Sequence, residues 1–205
     1  MKIQFLHSKK SEKEILLEVY DEYQWYIDYD FPIVLPKFFK ELYNKKKDNK
    51  KTFAKKLGNQ LDRIYDKDIY QRKIIAAQKS WRKKEEKFFQ IMEAFGFKPK
   101  EKYYCHTTLY GPQGQFKYPD SFSVRMSTAQ DAKDSNTTIA HELVHLLIFN
   151  KVKKLKLNYE KTEGIVDLFF TKTELKKLFP YHGLQTTAIH DAKIFKKLCQ
   201  TQQYN

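Results

Sequence analysis

Thirteen residues at 137–149, TTIAHELVHLLIF, constrain this chain more than any other stretch. Ile139, Leu143, Leu146 and Leu147 recur at helical spacing, so the segment must be a helix with a core to bury it. Set into that pattern are His141, Glu142 and His145. Two histidines four apart lie on one face of a helix and can grip a single ion. Imidazole suits Zn2+, and a glutamate next to the first histidine can reach a zinc-activated water without being a ligand. The competing expectation is a core helix with two buried, hydrogen-bonded histidines. That expectation assigns Glu142 no task.

A catalytic zinc keeps three protein ligands and one open position. The extended pattern H-E-x-x-H-x-x-G-x-x-H is broken here, with Ile148 at its glycine and Lys151 at its last histidine. The third ligand therefore comes from elsewhere, and Glu163 is the leading candidate. It lies 18 residues after His145 on a second predicted helix, about 159–170, which contains YEKTEGIVDLFF. Asp167, four residues on, shares its face. From there it can reach a ring nitrogen of a ligand histidine and fix the tautomer. Gly164 leaves room for close packing. Glu160 is the rival ligand, but its own position four residues on is Gly164. A structural reading of Glu163 is a helix N-terminal charge near the dipole.

HELVH at 141–145 followed by EGIVD at 163–167 resembles the gluzincin class of zinc metallopeptidases, including small single-domain members called minigluzincins. The likeness covers about residues 100–200. It implies that His141, His145 and Glu163 hold zinc, that Glu142 is the general base, and that Asp167 orients a histidine. It also implies a small sheet whose edge strand, here 121–127, lies above the active helix and binds extended peptide. The expected function is zinc-dependent hydrolysis of peptide bonds in a peptide or protein substrate. The alternatives are a catalytically silent or latent zinc-binding interaction module, or a nucleic-acid-associated one. A tetrahedral oxyanion needs a donor besides the metal. Tyr181 and His182, in a loop bounded by Pro180 and Gly183, are the candidates, with Tyr159 a weaker one. Arg125 can read an acidic substrate or serve the surface.

The rest of the chain predicts an α+β fold in two parts, a mostly helical basic region over 1–98 and a zincin-like domain with a small sheet over 99–205. KIQFL at 2–6 reads as a strand. Helical periodicity runs over 11–28, over 37–57 with a break near Asn49 and a stop at Gly58–Asn59, and over 60–95 as one helix or two. Residues 103–110, rich in aromatic and β-branched types, read as a strand, residues 121–127 alternate as one, and GPQG at 111–114 reads as a turn. A cap among Asp134, Ser135, Asn136 and Thr137 starts the histidine helix, which ends near Asn150. A short turn at 173–178 and a last helix at 186–199 follow.

Charge is uneven. Residues 37–102 hold 21 Lys/Arg against nine Asp/Glu, a net of +12 within the chain's +14. That block is a solvated helical face or a site for an anionic partner or nucleic acid. Only 6 glycines argue against a glycine-loop nucleotide fold. No run of apolar residues is long enough to span a membrane, and the first twenty residues lack a signal-peptide pattern. Cys105 and Cys199 make no paired motif, so a reducing, cytoplasmic setting is expected.

Overall fold

Residues 2–44 and 49–200 are described by the computed structural model. Their elements run β1 (Ile3–Leu6), α1 (Lys9–Asp28), β2 (Ile33–Val34), α2 (Phe39–Asn44), α3 (Lys50–Ile64), α4 (Lys67–Ala94), β3 (Tyr103–Thr108), β4 (Gly111–Pro112), β5 (Gly114–Lys117), β6 (Ser121–Arg125), α5 (Ala129–Lys154), α6 (Tyr159–Lys172), α7 (Leu175–Leu178) and α8 (Ala192–Gln200). The fold is α+β. No helix among the described residues is long and apolar enough to cross a membrane.

Four strands form a sheet in the order β1-β3-β6-β5. β1, β3 and β6 are parallel, and β5 runs antiparallel to β6. Strand alternation decides which side chains meet the core. Ile3, Phe5, Tyr103, Cys105, Phe122 and Val124 are buried in one cluster with residues of α4, α5 and α6. Trp81 and Phe88 of α4 are fully buried there, as are Ile139, Leu143 and Val144 of α5. Each such side chain is worth roughly 1.5–3 kcal/mol of burial.

This core crosses the expected boundary at 98. β1 and α4 share one core cluster with residues of β3, β6, α5 and α6, because β3 needs β1 as its parallel neighbour and α4 turns its apolar stripe to α5. A second, smaller cluster joins α1, α2 and α3 through Leu16, Val19, Tyr26, Phe39, Phe53, Leu57 and Leu61. The core thus divides between α1–α3 and the remainder, rather than at residue 98.

Other local expectations shift for readable reasons. α3 continues through Gly58 and Asn59 to Ile64, since Leu57 and Leu61 hold one buried face across them. The break comes at Asp66, whose carboxylate accepts from the Asp68 and Ile69 amides and starts α4. The junction over 45–48 lies outside the described residues. α5 starts at Ala129, earlier than predicted. Thr128 accepts from the Asp131 amide and the Asp131 carboxylate accepts from the Thr128 amide, closing a capping box.

The expected edge strand is corrected. β6 is paired on both sides, by β3 and β5, so it is internal. The sheet's edges are β1 and β5, and the edge that packs on α5 is β5, whose first residue, Gly114, belongs to the predicted GPQG turn. Arg125 is likewise not a substrate reader. It is 7 % exposed and forms a two-bond pair with Asp131 at 2.9 and 3.1 Å, while donating to the carbonyls of Gly111 and Pro32.

Candidate metal centre

Asn158 opens α6 by accepting from the Lys161 amide, and that start sets the phase of the helix. Glu163 then falls on the buried face, opposite His141 and His145 of α5. His141 Nε2 lies 3.2 Å from Glu163 Oε2, His145 Nε2 lies 3.2 Å from Glu163 Oε1, and the two Nε2 atoms are 3.1 Å apart. All three residues are buried, and this is the one group of such side chains among the described residues that could hold a metal ion. Glu160, the rival, is not in it.

The spacing can be tested against an ion. Arms of about 2.0–2.2 Å in a tetrahedral site put neighbouring donors about 3.3–3.6 Å apart. The observed separations need to open by only a few tenths of an ångström. Burial raises the affinity of Glu163 for a proton, but the imidazoles of His145 and His141 more than offset it and hold the carboxyl below the usual range. An anionic carboxylate facing two imidazole nitrogens is the donor set a divalent cation requires.

Glu142 follows the first histidine and lies under β5. A Cβ added to Gly114 would collide with Glu142 Oε1 and meet Thr138 Cγ2 at 2.7 Å, so glycine lets the strand backbone approach the carboxylate. Burial pushes Glu142 up to about 7, with His141 opposing and Glu163 adding. The site thus pairs an ionised carboxylate with a second one that exchanges a proton near neutrality. The Cys105 thiol is buried beside Glu142 and pushed up, first by burial, so it is a poor thiolate donor.

Asp167 takes partners other than those expected. It is fully buried and accepts from His182 Nε2 at 2.9 Å, His190 Nε2 at 3.0 Å and the Gln185 amide at 3.1 Å. Neither cluster histidine is its partner, because the 179–191 segment folds back over α6 and takes both oxygens. The same segment puts residues 186–191 outside the predicted last helix, which begins at Ala192.

The two predicted oxyanion donors diverge. The His182 side chain is buried on Phe170, with ring centroids 4.0 Å apart, and faces His141 at 5.8 Å. Tyr181 is 85 % exposed and makes no hydrogen bond or ring contact among the described residues. The phenol brought near the carboxylates is Tyr159, one helical turn before Glu163. Burial pushes it up, with Glu163 and Glu142 adding to the rise.

Two contributors escaped the sequence reading, Gly114 and Phe116 of β5. The Phe116 ring stacks on His145 with centroids 4.7 Å apart and planes at 9°. The pairing of β5 with β6 is a tertiary contact, and G-Q-F-K has no β-branched residue to announce it. No protein-family model matches this chain, and neither curated proteins nor solved structures yield a significant match.

Proposed function

We propose that this chain is a zinc-dependent peptide hydrolase of minigluzincin type, with a zincin-like arrangement of sheet edge and active helix. The observation that carries the reading is the place of Glu142, beside the His141–His145–Glu163 cluster and against the backbone of an edge strand. A structural metal site needs no such carboxylate and usually fills all four positions with protein ligands.

His141, His145 and Glu163 would hold the ion. Zinc bound there supplies a Lewis acid for the scissile carbonyl and lowers the pKa of a water. Glu142 takes the water's proton as the oxygen attacks the carbonyl carbon. The same carboxyl returns a proton to the leaving amine as the C–N bond breaks. Its raised proton affinity suits both halves of that task. An extended peptide adds to β5 through main-chain hydrogen bonds, which brings its carbonyl over Glu142. Tyr159 is the donor available to the oxyanion; the Nε2–H of His182 is taken by Asp167, so His182 could serve only as the doubly protonated imidazolium through Nδ1, and Tyr181 would have to turn in from solvent.

One observation favours a second reading, a latent zinc-binding module. His141, Glu142, His145 and Glu163 are only 3–9 % exposed, so a peptide must part the walls to enter. The experiment is cleavage of a peptide library by wild type and Glu142→Gln, with and without chelator. The hydrolase reading expects chelator-sensitive cleavage by wild type alone. Chelator-resistant cleavage by both proteins overturns it. Zinc uptake by both with cleavage by neither selects latency.

A further inference from the structure

Histidines that bind metals almost always donate their second ring N–H to a carboxylate, carbonyl or water, which fixes the plane of the ring. Asp167 was the residue placed for that task, and its oxygens are occupied by His182 and His190. Among the described residues, the buried Nδ1 of His145 has no protein partner. Both cluster imidazoles nevertheless have flat neighbours. Phe116 lies almost parallel to His145, 4.7 Å away. On the other side, His141 faces the ring of His182 at 5.8 Å and 22°, and Phe170 at 6.3 Å and 21°. His182 and Phe170 are themselves packed face to face at 4.0 Å and 10°. These separations lie near or within the range of offset stacking.

We infer that ring stacking, in place of hydrogen-bonded carboxylates, sets the planes of the two metal-binding imidazoles: Phe116 positions His145, and His182 positions His141. The inference rests on the metal-site reading and adds its positioning residues. Asp167 acts one step further out. It is fully buried and fastens the 179–191 segment to α6, so that the His182 ring is presented to His141. Two more contacts hold the same segment. The Ile189 amide donates to the Glu160 carbonyl at 2.8 Å. At Gly164, a Cβ would fall on the Ile189 carbonyl, so glycine lets the segment lie flat against the helix next to Glu163.

A stacked ring and a hydrogen-bonded carboxylate restrain an imidazole differently. Stacking fixes the plane and leaves rotation within it free. The hydrogen bond fixes both and adds negative charge. The His141 and His145 pair should therefore respond to the shape of its neighbours more than to their polarity.

The test is cobalt binding, read by the d–d absorption spectrum and by competition with a chelator of known affinity. Neither readout requires peptide cleavage. Phe116→Leu is expected to weaken Co2+ binding by about 10-fold, at the lower end of the range for outer-shell partners, and to shift the d–d bands. Phe116→Tyr keeps the stack and is expected to restore wild-type affinity and spectrum. Asp167→Asn, which puts an NH2 donor in place of one of the two oxygens that accept from His182 and His190, is expected to act like Phe116→Leu. His190→Gln loosens the same carboxylate without touching a ring beside a ligand, and is expected to leave the spectrum unchanged.

If Phe116→Leu binds cobalt as wild type does, stacking does not position His145 and the inference fails. If His190→Gln matches Asp167→Asn, Asp167 is a general structural residue and the second half fails. If Asp167→Asn does not fold, His182→Leu takes its place with the same expected loss. A wild-type protein that takes up no cobalt overturns the metal site and this inference together. A protein that binds cobalt as described but cuts no peptide overturns the hydrolase reading alone.

Discussion

Replacing Gly114 with alanine should separate the proposed general base, Glu142, from the proposed metal ligands. The added methyl would collide with Glu142 Oε1 and sit 2.7 Å from Thr138 Cγ2 and 3.0 Å from Glu142 Cδ. Ordinary carbon contacts lie at about 3.5–4.0 Å, so about 1 Å must open between β5 and α5. Overpacking of this kind costs about 1–3 kcal/mol. For a chain of this size that lowers Tm by roughly 2–12 °C. The softer response is displacement of the Glu142 carboxylate, because α5 is packed in the core along its length. A shift of about 1 Å at a reacting group lowers the rate by about 100-fold. The three atoms nearest the new methyl belong to Glu142 and Thr138 rather than to His141, His145 or Glu163, so metal affinity should stay close to wild type. The assay is initial-rate cleavage of a fluorogenic peptide, with zinc affinity measured on the same samples. Wild-type cleavage by Gly114→Ala would refute the placement of Glu142 under β5. Lost zinc binding with an intact fold would refute the separation of base from ligands.

Two further predictions concern stability. Glu12 is buried and accepts from Tyr70 Oη and the Leu109 and Tyr110 amides, tying α1 to α4 and to the end of β3. Burial raises its pKa from 4.5 to about 6 against those donors. The folded state binds the proton more tightly, so this contribution is fully present below pH 4.5 and lost as pH rises through 6, by about 2 kcal/mol. Urea unfolding at pH 4.5 and 7 should show that slope in wild type and lose it in Glu12→Gln; parallel pH profiles would contradict it. Arg125→Met leaves the Asp131 carboxylate buried with only the Ser127 and Thr128 donors, and should cost about 3 kcal/mol in chemical denaturation. A loss under 1 kcal/mol would mean that those donors suffice.

The site was more legible than the sheet that frames it. His141, His145 and Glu163 announce themselves through helical spacing, which depends on a few neighbouring residues, and the helix pair then brings them together. β1 pairs with β3 across about a hundred residues, and no local pattern in KIQFL names that partner. β5 was invisible for a related reason, since Gly114, Gln115, Phe116 and Lys117 form a strand only because β6 offers an edge. Asp167 shows the limit within a helix. Its face followed from spacing, but its partners come from a segment 15 to 23 residues on, and those partners changed its role. The cap of α5 misled because Asp134, Ser135, Asn136 and Thr137 are all good caps, while Asp131 had already closed one.

The central claim is that His141, His145 and Glu163 together hold one zinc ion, and competition titration of zinc into the metal-stripped protein tests it most directly. One equivalent per chain is predicted, with binding abolished by Glu163→Gln and retained by Glu160→Gln. Binding that survives Glu163→Gln, or that is lost with Glu160→Gln instead, would contradict the account.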